Sequence, residues 1–386
     1  MRRSAIGRKY SKLIKPSELP ALTIVRFFAA VAVVWFHYGR FVPMPGWLLN
    51  VTMSGYVWVT FFFMLSGFIL VYVARDLDTS SGRRQFYVRR VARIVPVYLL
   101  AWALFAVCQL IDPAVSVAYW LKTMAVFGGL GLLFAQGWVP GGAQYWNTPA
   151  WSLSCEAFFY LCFPAIFVVL LWMQRRALWI ALISLTVVSM FVAYAIDGLK
   201  GLPLLPETVF ATTWNKFLTY HPVVQMAVFL VGMVLGRLYV MGVRLKSAGL
   251  WLAISIAALA GLSLLDYGDV RRDLLLVPAF SLLIYSLACL PNLIRGKAAA
   301  VGVLLGNASF GIYILQEPLW YLYCGLIGMP RWGSAMSLAS LLLYLAFLLS
   351  FSVVIYMQFE RRAEKAIKSR FAGSRDAQAR ALTDAA

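Results

Sequence analysis

Apolar residues in this chain do not alternate with polar ones; they run on. Stretches of about 20 consecutive apolar positions recur from Leu22 to the neighbourhood of Gln358, separated by short polar connections. That length crosses a bilayer as an α-helix, whereas a membrane β-barrel would show alternating positions. Eleven such stretches can be drawn. The distribution of Lys and Arg selects among them, because basic residues collect in cytoplasmic loops. With the N-terminus inside, segments 22–42, 54–76, 87–111, 149–173, 177–196, 220–243, 248–266, 273–291, 300–326 and 334–358 alternate in direction. Arg83, Arg84, Arg89, Arg90, Arg175, Arg176, Arg244, Lys246, Arg295 and Lys297 then all fall on the cytoplasmic side. The stretch 113–136 breaks this alternation if it crosses. Its Lys122 and its glycines at 128, 129 and 131 suit a re-entrant or interfacial piece instead. The expectation is an all-α polytopic membrane protein of ten transmembrane helices with both termini cytoplasmic. Residues 1–21 form a basic N-terminal segment, 22–358 one membrane domain and 359–386 a basic tail on the inner leaflet.

Composition agrees. The chain is 62% hydrophobic and 13% charged over 386 residues, against roughly a quarter charged in a soluble domain. Its net charge of +19 would suit nucleic acid, but the basic residues sit where a topology signal puts them, and no nucleic-acid partner is expected. Six basic residues precede Leu22 with no small-residue cleavage site after the first segment, so that segment is read as a retained helix. The five cysteines have no paired spacing and read as small packing residues, with no metal site expected.

Against this background, ionisable residues inside apolar segments stand out, since each is costly in lipid and commonly faces a cavity or partner. The first segment carries Arg26 and His37. Eleven residues make about three turns plus 20° and a rise of roughly 16 Å, so the two share one helix face at two depths. An imidazole that is neutral near pH 7 can take a proton. At the start of the third segment, Arg89, Arg90 and Arg93 are spaced to converge on neighbouring faces. Clustered guanidiniums bind phosphate by paired N–H donors, and they also anchor helices at lipid headgroups. Glu156, in Trp151-Ser152-Leu-Ser154-Cys-Glu156, lies near the outer end of its segment. There it could orient His37, or pair with Arg40 or another cation as structural glue. Ser309, Tyr313, Gln316 and Glu317 are polar positions in one apolar helix, suited to lining a substrate cavity or to interhelical hydrogen bonds. The Ser66-Gly67 pair permits close helix approach. His221, before a proline at a helix start, reads as structural.

These pieces, in this order, resemble the bacterial acyltransferase-3 family of integral membrane acyltransferases. Arg26 and His37 match its Arg-x10-His signature, and Phe61 to Phe68 its Phe-Phe-x-Leu-Ser-Gly-Phe helix. Phe86 to Tyr98 matches Phe-Tyr-x-Arg-Arg-x-x-Arg-x-x-Pro-x-Tyr, and Trp151 to Glu156 matches Trp-Ser-Leu-x-x-Glu. The resemblance runs from about Pro20 to about Gln358. It implies O-acylation, mostly acetylation, of sugars in exopolysaccharide, O-antigen or lipid-linked glycan at the bacterial inner membrane, with cytoplasmic acyl-CoA (acetyl-CoA) as donor. It departs from the family pattern at Gln316, where many members have a His, and at His221 and Val228, where members often have Asn and Glu. No C-terminal hydrolase-like domain follows, which favours polysaccharide or lipid-linked acceptors over peptidoglycan.

The resulting expectation assigns Arg89, Arg90 and Arg93 to the donor phosphates. His37 serves as base or transiently acylated nucleophile, with Arg26 between them and Glu156 beside His37. Trp151, Ser152, Ser154, Ser309, Tyr313 and Gln316 line the cavity. By residue type alone, intramembrane Arg, His and Glu would also serve a proton-coupled transporter of a glycolipid or amphiphile, but the inverted repeats of such proteins are not found here. A non-catalytic subunit of a synthesis complex would have no need of Arg26 and His37 on one face.

Overall fold

The computed structural model describes residues 19–74, 76–112, 115–204, 212–266, 270–291, 293–331 and 335–371. The basic segment before residue 19, Arg75 and the tail beyond Phe371 lie outside them. The described residues are overwhelmingly helical, with only an isolated antiparallel bridge between Pro203 and Thr213. The principal helices are α1 (Pro20–Gly39), α2 (Gly46–Met53), α3 (Trp58–Val73), α4 (Ser80–Leu110), α5 (Val117–Leu132), α6 (Trp151–Trp172), α7 (Arg175–Gly198), α8 (Trp214–Tyr220), α9 (Pro222–Val240), α10 (Ala248–Ser263), α11 (Val270–Cys289), α12 (Gly296–Ile327) and α13 (Leu338–Ile355), the last prolonged through a π-helical turn to Phe371. Among the described residues, eight segments are long and apolar enough to cross a membrane, with α2 and α3 counted as one. α5, α10 and the apolar part of α11 are shorter. The protein is an all-α, multi-pass membrane protein.

Side-chain contacts fix the relative directions. α1 runs parallel to α12, since Gly306 lies against Thr23 and the Tyr38 hydroxyl donates to the Gln316 carbonyl. α4 runs the same way, with Arg93 at Asn307 and Cys108 at Pro318. α3, α9, α6 and α11 are parallel to one another: Gly232 and Gly236 meet Met64 and Phe68, Cys155 and Leu170 meet Tyr220 and Arg237, and Tyr56 and Met64 meet Asp273 and Ser281. α13 runs against α12 and α4, from Ser340 at Tyr323 to Glu360 at Arg93. α7 starts where α9 ends, with Arg175 donating to the Met241 carbonyl. α10 ends beside α2, at Asn50.

One end of the bundle therefore gathers Arg83, Arg84, Arg89, Arg175, Arg176, Arg244, Lys246, Arg295, Lys297 and the basic turns after Glu360. The other carries the Asp112–Arg331 and Asp197–Lys200 pairs. α5 is not long enough to cross. It folds back along the outer half of α4, with Trp120 donating to the Ala106 carbonyl and Trp102 to the Gly128 carbonyl. It turns at Leu133–Ala135 before the Gly137 N–H reaches the Ser154 hydroxyl.

Two large apolar clusters and a small third one, Phe105, Ala106, Phe127 and Trp146 under α5, make up the interior. One of the large clusters joins α3, α6, α9 and α11; the other joins α4, α12 and α13. α1 belongs to both. Leu22, Ala29 and Val33 pack into the first, and Ala30, Val34 and Tyr38 into the second. At about 100° per residue, Arg26 and His37 point between those two faces, into the seam where the clusters meet. Much of the outer surface is apolar; α7 alone exposes Ile180, Ile183, Val187, Phe191 and Tyr194. So continuous an apolar surface is suited to lipid rather than water.

Close approach of α3 to α9 depends on glycine. A Cβ on Gly67 would lie 2.2 Å from the Phe229 carbonyl oxygen, and one on Gly232 1.9 Å from that of Met64. The Ser-Gly pair thus permits the close helix contact its sequence suggests.

Candidate active site

Two polar levels occupy the seam. The deeper one, towards the basic end, is charged. Arg26 lies within electrostatic range of Arg93, Glu156, Tyr160 and Glu360. Arg93 forms an ion pair with Glu360 and donates to the Asn307 carbonyl at 3.1 Å. The Tyr160 hydroxyl donates to Glu156 Oε2 at 2.8 Å and is itself hydrogen-bonded to Ser66. The Arg90 guanidinium lies over the Tyr160 and Phe86 rings, each centroid 5.9 Å away, and its buried Nε has no hydrogen-bond partner. Three guanidiniums thus face two carboxylates, leaving positive charge in excess inside an apolar bundle. In low dielectric such a surplus strongly favours an incoming anion or developing negative charge.

Local structure explains these placements. Glu156 and Tyr160 are four residues apart on α6 and so share a face. The π-helical turn Tyr356–Glu360 inserts an extra residue at the end of α13, and Glu360 there is 1% exposed and turned onto α4.

The shallower level holds His37. It is half-buried beside the Phe36 and Tyr38 rings, and Arg40 is the charged group within its electrostatic range among the described residues. Glu156 is not brought to His37. The Tyr313–Ser152 and Tyr38–Gln316 contacts put the start of α6 near the depth of His37, so Glu156, a turn further in, descends to the Arg26 level. It faces the charged level instead, hydrogen-bonded by Tyr160 and within electrostatic range of Arg26, Arg90 and Arg93.

The six residues expected to line a cavity are mostly internal fastenings. The Tyr313 hydroxyl contacts the Pro149 carbonyl and Ser152, both at 2.9 Å; Ser154 accepts the Gly137 N–H; Ser309 donates to the Gly306 carbonyl of its own helix. Ser154 and Gln316 are 0% exposed, so neither faces a cavity. Trp151 is half-buried between Phe63 and Tyr220. Gln316 donates to the Tyr313 carbonyl, and its own carbonyl accepts from Tyr38 and Tyr344. Pro318 explains a neighbouring contact. Lacking an N–H, it orphans the Ile314 carbonyl, which Asn147 Nδ2 takes at 3.0 Å. Glu317 accepts the Thr148 N–H, so α12 fixes the entry of α6.

The three arginines of α4 do not converge. Arg90 and Arg93 turn inward, while Arg89 is exposed at the basic end, donating to Gln85 at 3.4 Å. Sequence reasoning missed Ser66, Tyr160 and Glu360 as members of the charged level. The Glu156–Tyr160 spacing and an acid opening a basic run were the available signals.

This is a polar, charge-bearing seam inside a multi-pass helical bundle, the setting of a membrane-embedded enzyme. A model of the acyltransferase domain matches residues 19–357, and the chain belongs to that family, acyltransferase-3. It is 32% identical over 322 residues to the acyltransferase MdmB of Streptomyces mycarofaciens, covering 78% of each chain. It is 28% identical over 208 residues to the putative peptidoglycan O-acetyltransferase YrhL of Bacillus subtilis (strain 168), covering 49% of this chain and 31% of that one. No solved structure matches significantly.

Proposed function

We propose that this membrane acyltransferase takes an acetyl group from acyl-CoA at its basic, cytoplasmic face. It passes that group to a sugar hydroxyl of an exopolysaccharide, O-antigen or lipid-linked glycan at the bacterial inner membrane. The observation that carries the reading is the pair Arg26 and His37, aimed from α1 into the seam between the two large apolar clusters. His37 is the base: an imidazole nitrogen takes the hydroxyl proton as the oxygen attacks the thioester carbon. The C–S bond breaks, and the proton passes to the departing sulfur. Arg26 lies a rise of roughly 16 Å from His37, towards the basic end. It belongs to the donor's route, where Arg90 and Arg93 add positive charge.

Purified protein given acetyl-CoA labelled in the acetyl group and a hydroxyl acceptor tests this. Coenzyme A release with transfer of label is expected from the wild type and its loss from His37→Ala. Wild-type transfer by correctly folded His37→Ala would refute the assignment.

A further inference from the structure

The charge arrangement leaves a question for the donor. Arg93 already meets Glu360, and Arg26 and Arg90 are within range of Glu156. A nucleotide with several phosphates needs more positive charge than this level has in excess, and its arginines are only partly exposed. Among the described residues, a second cluster of cations lies outside it. At the basic end, the first turns of α4 and the last turn of the helix prolonging α13 enclose a cleft of about 260 Å³. Arg84, Arg89 and Lys368 line it, with Ser81, Gln85 and Phe371. The Arg84 guanidinium lies over the Phe371 ring at 5.5 Å, so that ring already accepts a flat, delocalised partner. Lys368 pairs with Glu364 on its own helix, whereas Arg84 and Arg89 are in no ion pair among the described residues.

We propose that this cleft binds the phosphorylated adenine nucleotide end of the donor. The base stacks at Phe371, and the phosphates lie on Arg84, Arg89 and Lys368. The idea rests on the acyl-CoA reading above. Arg89 is one turn of α4 before Arg93, so a nucleotide held here leaves its thioester arm free to enter beside Arg90 and run towards Arg26. The C-terminal helix then becomes part of the enzyme's donor site. Phe371 and Lys368 lie beyond residue 357, where the family match ends.

Calorimetry on the full chain in phosphatidylcholine nanodiscs, with coenzyme A and with pantetheine, tests the cleft. Arg84→Ala, Lys368→Ala and Phe371→Ala should each weaken coenzyme A binding about tenfold, the effect of losing one charge-assisted or stacking contact. Pantetheine, which lacks the nucleotide, should bind all three as it binds the wild type, and Phe371→Trp should restore coenzyme A affinity. Unchanged coenzyme A affinity in the three alanine variants, with loss in Arg90→Ala, would overturn the cleft and keep the donor reading. No binding of coenzyme A by the wild type would overturn both. Alanine variants that lose association with phosphatidylglycerol but keep coenzyme A would assign the cleft to a lipid headgroup and overturn the proposal.

Discussion

Separating Arg93 from Glu360 isolates the energetics of the charged level. The pair ties α4 to the end of α13, across 267 residues of sequence. Removing one partner of a buried ion pair costs about 3–5 kcal/mol, because the survivor remains desolvated. The two survivors here differ. In Glu360→Ala, Arg93 keeps the Asn307 carbonyl and a side chain 22% exposed, which places the cost near the lower limit, about 3 kcal/mol. In Arg93→Ala, Glu360 stays 1% exposed with Oε2 already unpartnered. Arg26 lies within range of it and offsets part of the loss, so about 4 kcal/mol is expected. A double variant, Arg93→Met with Glu360→Leu, removes both charges and should recover at least about 1.5 kcal/mol relative to the sum of the single variants. Reversible unfolding in mixed micelles, followed by tryptophan fluorescence, gives the three values. Single variants costing less than about 1 kcal/mol, or a double variant equal to the sum, would show a solvated pair and refute the buried network.

Other outcomes follow from separate parts of the molecule. Gly232→Ala should force α3 from α9, since the new Cβ meets backbone 1.9 Å away, and cost about 1–3 kcal/mol or more; wild-type thermal stability in detergent would contradict this. His221 packs against Trp138 and Phe217, and burial holds its imidazole below the usual range. Its stabilising effect should be complete above about pH 6.5 and fall away as pH drops below it. The melting temperature of His221→Phe should lack that component, and identical pH profiles would remove the argument. In a cysteine-free background on intact spheroplasts, Gln144→Cys should react with an impermeant thiol reagent and Ser369→Cys should not; the reverse pattern would invert the topology.

The run-length of apolar residues made the helical class legible, because lipid leaves a chain few alternatives; of the ten expected crossings, eight are long and apolar enough among the described residues, and those at 248–266 and 273–291 form shorter apolar helices. α5 was legible from the placement of Lys and Arg: a crossing there would put every later basic loop on the wrong side. The facing of Arg26 and His37 followed from helix geometry alone. Partnership across helices was less readable. Spacing along α6 could not say that Glu156 descends to Arg26, since depth depends on how Tyr313 and Asn147 fasten α12 to the entry of α6. Ser154, Ser309 and Gln316 looked like cavity residues because a polar side chain in an apolar helix has two uses, and sequence does not separate them. Glu360 was assigned to a surface tail because its π-helical turn, which rotates it onto Arg93, leaves no mark in the hydrophobic pattern.

The central claim is that His37, reached by a donor from the basic face, performs the transfer. The most direct measurement uses proteoliposomes of uniformly oriented protein, with acetyl-labelled acetyl-CoA supplied only at the basic face and a glycan acceptor only at the other. The wild type should acetylate the acceptor, and His37→Ala should not while still binding coenzyme A. Acetylation by His37→Ala at the wild-type rate would contradict the account.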